Sequence, residues 1–168
     1  MPIEEIVEFD LGIEIRPIRG LRARFHIEGS LSTDLTTLVI DESLLVRQPN
    51  RYRFTLAHEV GHLILHAEQI QALARDSTEA WKVAVLTIPP RDYTRMEFQA
   101  YEFAGQVLVP RMPLLAAYQE AAERAEQHGI DLGELQGLSA ERVAGWIARR
   151  FEISTEVVLK RLEREGLL

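Results

Sequence analysis

Phe54-Thr55-Leu56-Ala57-His58-Glu59-Val60-Gly61-His62-Leu63-Ile64-Leu65-His66 decides how the rest of the chain is read. Residues 58–62 have the His-Glu-x-x-His spacing that binds zinc and activates a water for amide hydrolysis. On a helix, His58 and His62 lie about 40° apart around the axis and one turn apart along it. Both imidazoles then reach one ion at about 2.0–2.1 Å. Glu59 lies about 100° round from His58. That is too far to share the ion comfortably, but near enough to take a proton from a water held there. The opposite face carries Leu56, Ala57, Val60, Leu63 and Ile64, so the helix is expected to be central and buried. Glycine costs about 1 kcal/mol in a helix interior relative to alanine. Gly61 is therefore expected to admit a closely approaching neighbour.

Upstream, Pro49-Asn50 punctuates the chain, and Asn50 is the expected N-cap of a helix over about 51–66. Residues 2–8 read as a short helix ended by Gly12. Residues 13–16, 22–27 and 36–40 read as three strands, and their short spacing predicts an antiparallel meander. Asp41 and Glu42 end the third strand. Downstream, helices are expected over about 77–87, 91–109, 114–128, 139–151 and 154–165, with Ser77, Ser139 and Ser154 as N-caps and Gly166 as a stop. The glycine-punctuated stretch 130–138 is the candidate linker. Trp81 and Trp146 are expected to anchor their helices.

A catalytic zinc keeps three protein ligands and one open position, and the motif supplies two. His66 is one further turn along, about 12 Å up the axis from His58. On an unbroken helix it misses an ion held by His58 and His62, so a supporting role behind the ligands is expected. The helix over 91–109 offers a better third ligand. Glu97, Ala100, Tyr101, Ala104 and Leu108 share one face, and Glu102 falls opposite with Gln99 and Gln106. A carboxylate on a small, apolar stripe is costly unless it is paired or binds metal. Glu97 is accordingly expected to be the third ligand and Glu102 to be solvated, the alternative for Glu97 being an ordinary salt bridge.

The 168 residues carry 46% hydrophobic and 27% charged side chains, enough for one folded domain with a small appendage and too apolar for a disordered chain. The net charge of −7 disfavours direct nucleic-acid binding. The absence of cysteine excludes disulfides, cysteine nucleophiles and Cys-type structural zinc. The acidic N-terminus has no secretory pattern, and no apolar run approaches the ~18 residues of a membrane span. A cytoplasmic location without membrane contact is expected.

Two stretches together, Arg-Phe-Thr-Leu-Ala-His-Glu-Val-Gly-His-Leu-Ile-Leu-His (53–66) and Glu-Phe-Gln-Ala-Tyr-Glu-Phe-Ala-Gly-Gln-Val-Leu-Val-Pro (97–110), resemble the ImmA/IrrE family of zinc metalloproteases. The family's second motif is matched at Glu97, Ala100, Phe103, Ala104 and Pro110, with Tyr101 where asparagine is usual. The resemblance covers about residues 3–113. It implies a gluzincin-like site with His58, His62 and Glu97 as ligands and Glu59 as general base. It also implies a cytoplasmic protein substrate, most plausibly a helix-turn-helix repressor or an antitoxin. The expected metal is zinc, with manganese also suited to such nitrogen and oxygen donors. A second oxyanion donor is sought at Tyr101, on the inward face, or at Tyr93; packing is the alternative for both. One strand is expected to offer its edge to an extended substrate.

Residues 139–168 form two short amphipathic helices in helix-turn-helix order, but six basic residues against five acidic ones make a weak footprint for DNA. The reading is an α+β, zincin-like fold: a small antiparallel sheet of about three strands on a helical bundle that contains the motif helix. Residues 1–130 form the metallopeptidase domain, and 131–168 a C-terminal helical extension packed on it. The rival reading is a non-proteolytic module that sequesters a repressor or antitoxin through a metal-bearing domain.

Overall fold

The structure is a computed structural model and describes residues 1–74, 86–127 and 138–168. The expected helix over 77–87 and Trp81 fall largely, and the linker over 130–138 and the 130/131 boundary almost wholly, outside the described residues. Among the described residues no helix is long and apolar enough to cross a membrane.

Three strands form a mixed sheet in the order β1-β3-β2: β1 Glu14–Ile18, β2 Gly29–Leu31 and β3 Thr37–Asp41. The central strand, Thr-Leu-Val-Ile-Asp, buries Leu38 and Ile40 on one face. β2 pairs with it antiparallel, Leu31 opposite Leu38, whereas β1 pairs with it parallel, Glu14 opposite Thr37. The parallel pair corrects the expected all-antiparallel meander. A parallel neighbour needs a crossover, and here helix α2 (Leu21–Phe25) and β2 together make it.

That helix occupies the stretch expected to be the second strand. Its alternation of Arg22, Arg24 and His26 with Ala23, Phe25 and Ile27 mimics a strand, but only Leu21 of the helix is buried. With no face to bury, the helix-favouring Leu, Arg and Ala decide the conformation. Gly20 before it and His26 after it both adopt positive φ, which sets the short helix apart from the flanking chain.

In the unit Met1–Ala104, α1 (Ile3–Glu5) runs into a π-helical turn over Ile6–Asp10 and buries Ile3 and Val7. The Asp41-Glu42 stop after β3 is also the start of an unexpected helix, α3 (Glu42–Arg47). Asp41 caps it, accepting from Ser43 N–H at 2.9 Å, and also accepts from Arg22 N–H at 2.8 Å. The motif helix α4 spans Pro49–Gln71. Pro49 sits in its first turn, where its missing N–H costs nothing, so Asn50 lies inside the helix rather than capping it. Leu56, Ala57 and Val60 are buried as expected, but Leu63 is half-buried and Ile64 exposed. At His66 the backbone leaves helical geometry, with φ −135° and ψ 20°, before the helix resumes.

Helix α5 spans Pro90–Leu108. The second unit, Gly105–Leu168, holds its last turn together with α6 (Arg111–Gln127), α7 (Leu138–Phe151) and α8 (Thr155–Arg164). α6 starts before Pro113, because a proline in the first turn lacks only an N–H that has no helical partner anyway. α7 packs against both α6 and α8. Its buried stripe, Ala140, Val143, Ala144, Ile147 and Ala148, follows helical spacing. Ser154 caps α8, accepting from Val157 N–H. Trp146 is half-buried beneath the Arg124 guanidinium, 4.8 Å from the ring centroid.

Candidate metal centre

Two glycines set where the site forms. Gly29 opens β2 against α4: a Cβ there would lie 2.6 Å from the Thr55 methyl and 3.4 Å from Glu59 Cγ. Gly61 lets α5 approach α4: a Cβ there would lie 3.0 Å from Ala100 Cα and 3.1 Å from its carbonyl oxygen. Two helices this close bring Glu97 level with the motif histidines. Glu97 Oε2 lies 3.3 Å from His58 Nε2, Glu97 Oε1 lies 3.5 Å from His62 Nε2, and the two Nε2 atoms are 3.1 Å apart.

These distances fit an ion. Ligand atoms about 2.0–2.1 Å from a tetrahedral zinc stand about 3.3–3.4 Å from one another; the Nε2–Nε2 separation of 3.1 Å, and the approach of each imidazole to a different oxygen of the same carboxylate at 3.3 and 3.5 Å, lie near that value. The donor set, two imidazole nitrogens and one carboxylate oxygen, leaves a fourth position open. Burial works against the Glu97 carboxylate, yet its contacts with His58 and His62 hold it well below the usual carboxylate range. Burial also opposes charge on His58, but the Glu97 contact and the charge of Glu59 leave its imidazole pushed up. No arginine forms an ion pair with Glu97 among the described contacts, so the salt-bridge alternative gives way to the two histidines.

Glu59 is buried beside this triad. Its Oε2 accepts from Leu31 N–H at 3.1 Å. Leu31 lies in β2, between the positions that bond to β3: Ser32 N–H reaches Thr37 C=O on one side and Asp41 N–H reaches Glu28 C=O on the other. Its N–H therefore points off the free edge of the sheet. Burial pushes the Glu59 carboxyl up, against the pull of His58 and His62.

Of the two tyrosines, Tyr93 lies beside the triad: burial and the neighbouring Glu97 carboxylate push its hydroxyl pKa up. Tyr101 instead packs on Phe54, ring centroids 5.0 Å apart, with its hydroxyl buried. His66 lies outside the triad. Its Nδ1 faces His62 Nδ1 at 3.2 Å and its Nε2 faces Gln99 Oε1 at 3.1 Å. Glu102 is half-buried rather than fully solvated.

Sequence reasoning missed Leu31, Gly29 and Gln99. A backbone N–H carries no residue signature, and Gly29 reads as a turn. Gln99 has a signal that goes unused. The face that α5 turns to α4 is centred on Ala100, with Glu97 about 60° to one side and Gln99 about 100° to the other.

Residues 17–163 match the family described as the IrrE N-terminal-like domain, Peptidase_M78. A comparison with curated proteins finds no match. Among solved structures, a Mycobacterium tuberculosis transcriptional regulator is similar over 95% of this chain, with a TM-score of 0.55 and 22% identity. At that identity the likeness concerns the fold. The chain spans 46% of that protein's length.

Proposed function

The chain belongs to the IrrE N-terminal-like domain family of peptidases, and from that premise we propose that it is a zinc-dependent endopeptidase acting on a regulatory protein in the cytoplasm. The convergence of His58, His62 and Glu97 beside the buried Glu59 carries this reading. Zinc held by these three residues would supply Lewis acidity at the open position; manganese suits the same donors.

The chain's own residues supply the rest. Leu31 N–H holds one oxygen of Glu59 and leaves the other, Oε1, to take a proton from the attacking water. Having taken that proton, the same carboxyl is the group placed to pass it to the leaving amine. The Tyr93 hydroxyl, beside Glu97, is placed to donate to the oxyanion. The substrate on this reading is a helix-turn-helix repressor or an antitoxin. The family resemblance supports that choice; the similar structure named as a transcriptional regulator fits only the coarser reading of a regulatory protein.

Glu59→Gln tests the reading. Zinc content and partner binding are expected to persist while cleavage falls by about 10²–10⁴-fold. Full biological function in Glu59→Gln would overturn the peptidase reading in favour of sequestration.

A further inference from the structure

We propose that Gln99 is a positioning residue that sets the tautomer of His62 through His66, and so prepares His62 Nε2 for the metal. The inference rests on the reading of His62 as a metal ligand.

A neutral imidazole carries one N–H and one lone pair, and only a nitrogen with a free lone pair coordinates metal. What the far nitrogen of a ligand histidine bonds to decides which nitrogen is bare. The common partner is a carboxylate or a carbonyl. Here it is a second histidine, whose own donor and acceptor ends must first be chosen.

Gln99 makes that choice. Its Oε1 lies 3.1 Å from His66 Nε2 and accepts only, so the His66 proton sits on Nε2. His66 Nδ1 is then a lone pair, 3.2 Å from His62 Nδ1, and accepts the His62 Nδ1–H. His62 Nε2 is thereby left bare, facing Glu97 and His58. His66 is 3% exposed and His62 8%, so the contact between them is shielded from water, and Gln99 is half-buried. The departure from helical geometry at His66 belongs to the same arrangement, since it occurs at the one residue whose two ring nitrogens bridge α4 and α5. A reversed amide, with the Gln99 NH₂ toward His66, would run every proton the other way and block His62 Nε2.

Two measurements on the whole chain decide it. Nitrogen-15 NMR of the zinc-loaded protein, in which the ion stands between His62 Nε2 and Glu97, is expected to show His66 as the Nε2–H tautomer and His62 protonated on Nδ1; a His66 that carries its proton on Nδ1 overturns the proposal. Zinc affinity, from competition with a chromophoric chelator, is expected to fall about 10–100-fold in Gln99→Met, which has no acceptor of this kind. It should return in Gln99→Glu, which can only accept. Equal affinity in wild type and Gln99→Met, or no recovery in Gln99→Glu, also overturns it. If Gln99→Met does not fold, the wild-type tautomers decide alone. A wild-type chain that takes up no zinc overturns the metal-centre reading itself, before any variant is compared.

Discussion

The units Met1–Ala104 and Gly105–Leu168 differ most in the polar groups they bury. Among the described residues, Asp41, Thr55, Glu59, His62 and His66 are buried in the first, and Arg161 alone in the second. The interior of the second is otherwise alanine, valine, leucine and isoleucine at helical spacing, and Arg161 is paired with Glu165 at 2.9 Å. Burying a polar group without a partner costs free energy, and a buried charge costs more. Apart from Asp41, which caps α3, the first unit carries that cost around one point, where α4, β2 and α5 meet. The difference separates a unit whose interior is arranged for chemistry from one whose interior is arranged for packing.

Substitutions in each unit should therefore read out differently. The largest expected effect is at the triad. Glu97→Ala should weaken zinc binding by more than about 100-fold, since it removes a ligand where loss of a supporting partner already costs about 10–100-fold. Glu102→Ala should leave it near wild type. Loss in Glu102→Ala instead, by metal titration, would show that the wrong face of α5 is functional.

In the second unit, Leu162→Ala at a fully buried site should cost about 2–5 kcal/mol in urea unfolding. Zinc affinity measured below the unfolding transition should not change. A weakened site there would break the contrast between the units.

Gly61→Ala comes next. The added methyl meets the backbone of Ala100, which cannot yield as a side chain could. Overpacking of about 1–3 kcal/mol exceeds the gain of about 1 kcal/mol in helix propensity. Lower stability together with weaker zinc binding is expected; a more stable protein with intact affinity would mean that the helix contact does not place Glu97.

Asp41→Asn should have the smallest effect. The side-chain hydrogen bond from Ser43, then the backbone N–H of Arg22, holds the Asp41 carboxyl below its ordinary value. A group with a depressed folded pKa contributes stability above its unfolded pKa of about 3.9, and that contribution fades as pH falls through the folded value. The amide does not titrate, so the substitution should flatten this acid limb of the stability–pH curve. An unchanged limb would mean that the carboxylate does not matter there.

The helices were legible where an apolar stripe and a cap coincide, as at Ser154 in α8. Periodicity failed at 22–27 for a physical reason: alternation predicts a strand only if a neighbour buries one face, and none does. Strand direction in the sheet was equally out of reach, because it follows from the crossover that the misread helix helps to make. At the site, the His58–His62 pairing follows from the helical repeat, and Glu97 from a carboxylate stranded on a small-residue stripe. Gln99 was assigned to the far side because the face was centred on Glu97. The glycine at 61 points at Ala100 instead.

The split donor set also imposes an order on synthesis. His58 and His62 emerge together, and Glu97 follows 97 − 62 = 35 residues later. At roughly 5–20 residues per second, the histidine pair exists for about 2–7 s before its carboxylate partner is made. A growing chain thus carries the motif but not the site. The metal site, and any chemistry it performs, therefore waits until that carboxylate has been added and α5 lies against α4.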